Sequence, residues 1–187
     1  LGHTAGAGAP FEDAWMTMLH AGNGGMCYID SVELDEVYTP LRVHTRRLIQ
    51  DSEGAGRFRG APGIRVELGP VNCRMEAGFV ADGNIHIPLG ARNGGPASRS
   101  DQFRLTVKGE LERLDQCSQV WIEDGEVLVS IACGGGGYGD PKTRDPERVL
   151  HDVREGIVSR NRAQEVYGIV IDEKMEIDEA ATQSLRA

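Results

Sequence analysis

Hydrophobic and polar residues alternate along most of the chain between residues 41 and 134. A period of two is typical of strands that bury one face. In the first such segment, Leu41, Val43 and Thr45 fall on the predicted inner face. The pattern predicts strands at residues 41–49, 64–69, 72–81 and 103–108, and two more within 119–134.

The segments before residue 41 have weaker patterns. Residues 11–19 show the spacing of a short amphipathic helix, which a glycine-rich stretch ends. Residues 26–40 alternate partially and end at Pro40, so they predict an extended segment.

Residues 119–134 are the best candidate for a β-hairpin. Val120 and Ile122 lie on one face of the first strand, and apolar residues alternate again from Val127. Between them, Asp124-Gly125 is a pair that favours positive φ and therefore a tight turn. The sequence predicts a hairpin inside a sheet.

After residue 145 the pattern changes to that of helices. Asp145 is a predicted N-cap, with Pro146 at the first helical position, and an apolar stripe follows. Ser159 is a second predicted cap. The sequence predicts helices near 146–155 and 159–167, a strand at 169–173 and a helix at 177–187.

These patterns together predict an α+β fold with β-dominated mixed sheets and short C-terminal helices. Neither an internal repeat nor a linker is apparent. We expect one unit over residues 1–187, with a β-rich part at 26–133 and a glycine loop and helical part at 134–187. The sequence starts at Leu1, and we expect it to be a fragment or a processed subunit of a longer polypeptide.

Composition narrows the possible partners. The net charge is −9, whereas a nucleic-acid groove needs clustered Lys and Arg. The sequence contains no apolar run long enough to span a membrane. The four cysteines lack the spacing of a zinc site, and we expect free buried thiols in a cytoplasmic protein. The five histidines show no metal-type spacing either, so we expect no metal in this chain.

The most unusual stretch is "CGGGGYGDP" at residues 133–141, with five glycines at 134–139. It is neither a P-loop nor a dinucleotide fingerprint, because the required Lys-Ser/Thr or the directly following helix is missing. Two interpretations have equal weight: a close crossing of backbones, or exposed amides that meet an anion or a partner subunit. The candidate residues of this loop are Gly134, Gly135, Gly136, Gly137, Tyr138 and Asp140.

Single residues of this loop have expected roles. Gly136 is predicted to have a positive φ, so that Gly136→Val would introduce strain. Asp140 is expected to cap backbone amides or to hold Arg144, and the ring of Tyr138 to cover the loop. A second glycine-rich loop, residues 51–63, carries Arg57 and Arg59. These arginines either grip a phosphate or carboxylate or, more simply, pair with the excess acidic residues of the chain.

Three stretches resemble the hydantoinase B/oxoprolinase family. Residues 51–63 are similar to that family's D-S-G-G-x-G-x-[FY]-R-G-G-x-G loop, and residues 33–43 to the segment before it. Residues 133–171 are similar to its G-G-G-G-[YW]-G-D-P-x-x-R-D-P block with the following helices. The resemblance covers most of residues 26–171, and Glu53 stands where the family usually has glycine.

This resemblance implies the C-terminal portion of a B-type subunit. It implies an ATP-dependent amidohydrolase in which a hydantoinase A-type subunit phosphorylates a cyclic amide before hydrolysis. ATP and a divalent metal are implied for the whole hetero-oligomer, with the metal ligands in the N-terminal portion of the B-type subunit. The isolated chain is then expected to be inactive. The alternatives are a subunit of an acetone- or acetophenone-type carboxylase, or a scaffold module without catalytic residues.

Overall fold

A computed structural model describes residues 6–14 and 31–187. The described residues form seven strands and four α-helices. The strands are β1 (Leu41–Leu48), β2 (Ile64–Pro70), β3 (Met75–Val80), β4 (Asp101–Leu105), β5 (Leu111–Arg113), β6 (Cys117–Ile122) and β7 (Val127–Ala132). The helices are α1 (Val32–Tyr38), α2 (Pro146–Arg154), α3 (Arg160–Glu165) and α4 (Glu179–Arg186). The predicted α+β class is confirmed.

The strands form two antiparallel sheets. The larger sheet has five strands in the order β1-β2-β7-β4-β5, and β3 pairs with β6 in a separate sheet of two strands. The smaller sheet packs on the larger one, because Ala77 of β3, Ile122 of β6 and Leu128 of β7 share one hydrophobic cluster. The alternation predicted for β1 is confirmed from Leu41 to Thr45, and it ends there, because Arg46 is half-buried and Leu48 is exposed.

The C-terminal helices surround a core of their own. Asp145 caps α2 by accepting from the amide of Glu147 at 2.9 Å, and Ser159 caps α3, as predicted. Pro146 takes the first turn of α2, where its missing N–H costs nothing. The buried residues of this cluster come from the helices, from the segment after them and from one loop residue: Ala55, Val149, Leu150, Val153, Val158, Ala163, Tyr167, Ile169 and Ile171.

The predicted hairpin within 119–134 is wrong in its pairing. Both strands exist, and Gly125 has the expected positive φ of 84° in the turn. However, β6 pairs with β3, whereas β7 lies between β2 and β4. The turn therefore carries the chain from one sheet to the other.

Two further predictions are corrected. Residues 26–40 are not extended throughout, because Ser31 caps helix α1, with Glu33 and Asp35 in its first turn. Residues 169–173 do not form a strand: Ile171 makes one isolated bridge to Ile177. The side chain of Asp172 instead accepts from the amides of Lys174 and Glu176 at 2.9 Å each, which closes a turn.

The helix predicted at 11–19 lies largely outside the described residues. Its described part, residues 11–14, is not helical. Within the described ranges, no helix is long and apolar enough to cross a bilayer.

Candidate functional site

The glycine run after β7 is a close crossing of backbones. Gly134 to Gly137 are all buried. A methyl carbon placed on Gly135 would lie 1.9 Å from the carbonyl oxygen of Gly6, and one on Gly137 would lie 2.0 Å from that of Ala55. No real Cβ atom approaches another heavy atom so closely, and the obstacle is backbone, which cannot swing aside. The run therefore has no space for any side chain.

The neighbouring segments are bare for the same reason. A methyl carbon on Gly60 would lie 1.8 Å from the carbonyl oxygen of Gly135, and one on Gly94 would lie 2.2 Å from that of Gly137. We call this arrangement the glycine junction; it consists of residues 6–8, 52–61, 89–95 and 134–139. It joins the end of β7 to three loops that are distant in sequence.

The amides of the run donate to other parts of this chain. Gly135 donates to the carbonyl oxygen of Ala61 at 2.9 Å, and Gly137 to that of Gly95 at 3.0 Å. Tyr138 donates to the carbonyl oxygen of Phe58 at 2.8 Å. These amides are therefore not free to cradle an anion, and the structure favours the crossing interpretation over the anion interpretation.

Gly136 differs from the prediction in its conformation. Among the described residues its φ is not positive, whereas that of Gly139 is, at 78°. What excludes a side chain at Gly136 is the carbonyl oxygen of Leu89, which a methyl carbon would meet at 2.1 Å. Steric exclusion thus replaces backbone strain as the reason for glycine here.

A buried cluster of charges lies directly after the junction. Arg144 is 1% exposed, and its guanidinium donates to both carboxylate oxygens of Asp13 at 2.6 and 2.8 Å and to Asp152 at 2.7 Å. Arg59 and Arg148 complete the cluster, at 2.9 Å from Asp152 and 2.7 Å from Asp13 respectively. We call these five residues the arginine cluster.

The ionisation of the arginine cluster follows from its geometry. Burial opposes ionisation of Asp13, but the hydrogen bonds and charge of Arg144, with the charges of Arg59 and Arg148, lower its pKa overall. Burial likewise opposes the charged form of Arg144, and Asp13 and Asp152 nevertheless raise its pKa. Both groups are charged at neutral pH.

The two predicted arginines have different environments. Arg59 pairs with Asp152, as the simpler interpretation expected. Arg57 is exposed, its guanidinium lies 5.6 Å from the ring centre of Phe58, and its carbonyl oxygen accepts from Arg144 at 3.1 Å. Both residues therefore tie the loop at 51–63 to other parts of the chain. Their side chains do not converge to bind a phosphate or carboxylate.

The expectations for the end of the run are met in part. Asp140 caps the following turn by accepting from the amide of Lys142 at 2.9 Å. It does not hold Arg144, whose guanidinium binds Asp13 and Asp152 instead. The backbone of Tyr138 forms bridges to Phe58 and Ala91 and so connects two segments of the junction.

Glu53 provides a second buried charge contact. Its side chain is fully buried, and Oε1 accepts from Nε of Arg162 at 2.8 Å and from the hydroxyl of Tyr167 at 3.0 Å. Its other oxygen has no hydrogen-bond partner among the described residues. Burial raises the pKa of Glu53, and Arg162 and Tyr167 offset this only in part. The side chain that replaces a usual glycine thus ties the loop to the helical core.

A cavity of about 350 Å³ lies where β7 meets the glycine run. Cys133, the residue before the run, lines it together with Ser100 and Gln102. Its apolar wall is formed by Phe79, Val80, Pro88, Ile131 and Ala132. The glycine junction begins at the residue after Cys133, where the amide of Gly134 donates to the hydroxyl of Ser98 at 3.2 Å.

The described residues offer no metal centre. No group of three His, Cys, Asp or Glu side chains in residues 6–14 and 31–187 is placed to hold an ion. The cysteines in these ranges, Cys73, Cys117 and Cys133, are free thiols, as expected. The prediction that they are buried is wrong, because Cys117 is exposed and the other two are half-buried. His3, His20 and Cys27 lie outside the described residues.

The arginine cluster was not predicted from the sequence. Asp13 and Arg144 are 131 positions apart. Arg144 stands in the G-G-G-G-[YW]-G-D-P-x-x-R-D-P block, but nothing in the sequence indicates Asp13 as its partner. Asp152 gave one signal: it is an acidic residue on the apolar face of α2, next to Val153. An acid at such a position indicates a buried partner.

The architecture and the junction define a class of protein: an α+β domain whose sheet and helices meet at a glycine-lined crossing of loops. The chain belongs to the hydantoinase B/oxoprolinase family, whose model matches residues 2–141. It is 38% identical over 160 residues to the caprolactamase subunit beta of Pseudomonas jessenii. It is 39% identical over 180 residues to the acetophenone carboxylase delta subunit of Aromatoleum aromaticum.

The chain corresponds to a minor part of each relative. These two matches cover 83% and 79% of this chain but only 28% and 26% of the relatives. The crystal structure of the ATP-dependent caprolactamase from Pseudomonas jessenii superposes with a TM-score of 0.76 at 30% identity. That superposition covers 98% of this chain and 32% of the caprolactamase chain.

Proposed function

We propose that this chain is the C-terminal portion of a B-type subunit in an ATP-dependent amidohydrolase of the hydantoinase/oxoprolinase type. The enzyme would hydrolyse a cyclic amide after an A-type partner subunit has phosphorylated it. The observation that carries this proposal is the likeness to caprolactamase, which combines 38% identity with a TM-score of 0.76. The partners would be the A-type subunit and the remaining part of the B-type subunit.

Phosphorylation activates the carbonyl group of a cyclic amide for hydrolysis. An amide carbonyl is a poor electrophile because nitrogen donates electron density into it. Transfer of a phosphoryl group to its oxygen makes the carbon electrophilic, so that water adds to it. The ring C–N bond then breaks as the nitrogen takes a proton, and a second water hydrolyses the resulting acyl phosphate to a carboxylate and phosphate. This chain carries no P-loop sequence, and the amides of its glycine run are largely occupied within the chain. We therefore assign ATP binding to the partner subunit.

The metal of the complex is assigned to the remaining part of the subunit. The described residues do not bring together a ligand set, so no step is assigned to a metal in this chain. The contribution of this chain is to hold loop segments in place. Backbone hydrogen bonds hold the four segments of the glycine junction together. Two residues of the cavity wall, Pro88 and Cys133, directly adjoin these segments.

The test uses the full-length subunit co-expressed with its A-type partner. Lactams and hydantoins are supplied with Mg·ATP, and ADP release and the ring-opened product are measured together. We expect release of ADP that depends on the cyclic amide and matches the product in amount. ADP release without a ring-opened product from any cyclic amide would contradict the proposal.

A ketone carboxylase is the second candidate. It is favoured by the 39% identity to the acetophenone carboxylase subunit, which is as high as that to caprolactamase. Bicarbonate separates the two activities: a carboxylase requires it for ADP release and incorporates its carbon into product. Labelled bicarbonate supplied with acetone or acetophenone tests this directly.

A scaffold without a catalytic role is the third candidate. It is favoured by the burial of Gly134 to Gly137, which offer little surface to a substrate. If the chain only scaffolds, junction variants would reduce the amount of assembled complex and leave the turnover of each assembled complex unchanged. Size-exclusion chromatography followed by an activity measurement on the assembled fraction distinguishes this case.

A further inference from the structure

Helix α1 carries its large apolar residues on one side. Leu34, Val37 and Tyr38 have the spacing i, i+3, i+4, so they form one stripe along the helix. These three side chains are 51%, 75% and 80% exposed, and α1 has no buried residue. The apolar stripe of α1 therefore points to solvent.

The opposite side of α1 faces this chain and is mainly polar. Asp35 and Glu36 are half-buried there, together with Val32. Oε1 of Glu36 accepts from the amide of Val43 at 2.8 Å, which ties the helix to β1. A surface helix normally turns its apolar stripe to the core and its polar residues to water. The orientation of α1 is the reverse, so its stripe does not serve the core of this chain.

A groove extends the stripe of α1. It has a volume of about 550 Å³ and lies between α1, the start of β1 and the residues after β2. Its apolar lining comes from Val37, Pro40, Leu41 and Val71, and polar residues complete it. Stripe and groove share Val37 and form one continuous surface. We call it the α1 surface; it consists of Leu34, Tyr38 and the four apolar lining residues.

A helix as short as α1 needs a packing partner. It has seven residues, whereas isolated helices shorter than about 12–15 residues are marginal in water. Most of the stability of a helix in a protein comes from burial of its apolar face. The cap Ser31 and the contact of Glu36 hold α1 in place, but neither covers the stripe. We therefore expect the stripe to be covered by a partner that stays bound.

The remaining part of the same subunit is a partner that is always present. This chain covers 28% of the caprolactamase subunit beta and 32% of the chain in the caprolactamase crystal structure. Most of such a subunit therefore lies outside this chain. Permanent interfaces are more apolar than transient ones and resemble a domain core cut in two, which is the character of the α1 surface. A second copy of α1 fits less well, because the helix carries three acidic residues and like charges across an interface repel each other.

We infer that the remaining part of the B-type subunit packs on the α1 surface, with Leu34, Val37 and Tyr38 buried against an apolar face of that part. This inference rests on the proposed function, which makes this chain a portion of such a subunit. It adds the face through which the two portions are joined.

Photocrosslinking in the full-length complex tests the inference without relying on turnover. The photoreactive residue p-benzoylphenylalanine replaces Tyr38, and mass spectrometry identifies the crosslinked peptides. Val107 is the matched control site, because it is 73% exposed and lies in a polar turn between β4 and β5. We expect most crosslinks from position 38 to reach the part of the subunit outside this chain, and few or none from position 107.

Val37→Asn is the matched variant. Asparagine and valine have similar helix propensities, so the substitution leaves α1 intact if the stripe is free in the complex. If the stripe is covered, the substitution places an amide group in an apolar interface. We then expect the hydrogen-bonded backbone amides of Asp35 and Thr39 to exchange hydrogen at least about tenfold faster than in the wild type. Val107→Asn is the control and should leave the exchange of these amides unchanged.

The outcomes separate this inference from the proposed function. Crosslinks from position 38 to the A-type subunit, to residues 15–30 of this chain or to no protein would overturn the inference even in a complex that hydrolyses lactams. Crosslinks to a second copy, recognised by mixing isotope-labelled and unlabelled subunits, would overturn it as well. Unchanged hydrogen exchange in Val37→Asn would show that the stripe is not buried. Crosslinks to the remaining part in a complex that never opens a cyclic amide would support the contact and contradict the proposed activity.

Discussion

At the scale of single residues, the glycines of the junction are required by steric exclusion. We expect Gly136→Val to destabilise the full-length subunit by about 3 kcal/mol or more, because the new side chain would displace the carbonyl of Leu89. Gly78→Ala is the matched control, since a methyl carbon there meets nothing within 4 Å. Urea unfolding of both variants measures the difference. Equal stabilities would show that the junction can open at little cost.

Arg144 is the residue on which the arginine cluster depends. A lysine keeps the charge but cannot bind both oxygens of Asp13 and also reach Asp152. We expect Arg144→Lys to lower the free energy of unfolding by roughly 2–4 kcal/mol. Arg104→Lys changes the partly exposed pair with Glu112 and should cost less than about 1 kcal/mol. The prediction fails if the two substitutions cost the same.

Glu53 gives the stability a pH dependence with a definite sign. Its pKa is raised above 4.5 by folding, so the native state binds this proton more tightly than the unfolded state does. Protonated Glu53 contributes its full stabilisation below about pH 4.5. This contribution is lost as the pH rises through the pKa that Glu53 has in the folded state. Glu53→Gln imitates the protonated side chain. We therefore expect its free energy of unfolding to increase relative to that of the wild type as the pH rises through this interval.

Chemical unfolding of both proteins at several pH values from 4 to 8 measures this effect. Glu112→Gln removes the same charge at an exposed carboxyl and therefore controls for the change in net charge. A difference between Glu53→Gln and the wild type that is constant with pH would contradict the assignment.

At the scale of elements, the cap of α2 links local sequence to the buried charges. Asp145 satisfies the amide of Glu147, and the same helix carries Asp152 of the arginine cluster. We expect Asp145→Ala to cost about 1 kcal/mol and to lower the melting temperature by roughly 2–4 °C. Asp178→Ala removes the equivalent cap of α4, whose one buried residue is Thr182, and should affect the melting temperature less.

Local signals explain why the C-terminal helices could be predicted. The caps Asp145 and Ser159 act within three residues, so the sequence contains the whole interaction. The pairing of β6 is different, because its partner β3 is chosen by packing between the two sheets. The Asp124-Gly125 turn fixed the reversal of the chain and could not fix the partner strand.

The candidate site could be predicted only in part for the same reason. The glycine run was recognisable because its composition is unusual over a short stretch. The contacts that give it a role involve Gly6, Ala55 and Leu89, which carry no local signal. Glu53 was noticed as a departure, but its partners Arg162 and Tyr167 lie more than 100 positions away.

At the scale of the whole molecule, the junction should behave as a rigid core although it contains no helix and little strand. The amides of Gly135 and Gly137 are buried and hydrogen-bonded between distant segments. We expect them to exchange hydrogen only through global unfolding. The amide of Gly109 is the control: it is hydrogen-bonded in an exposed turn and should exchange fast. Rapid exchange of Gly135 would show that the junction opens locally.

The glycine junction also affects how this fold can adapt to heat. Glycine loses more backbone entropy on folding than any other residue, so its ordering opposes stability increasingly as temperature rises. The usual remedy is replacement of glycine by alanine, which restricts the unfolded chain. Replacement by alanine is sterically excluded at seven glycines, because a single methyl group would already collide with backbone atoms: Gly54, Gly60, Gly94 and Gly134 to Gly137. A heat-stable version of this protein must therefore gain its stability elsewhere and keep these loops bare.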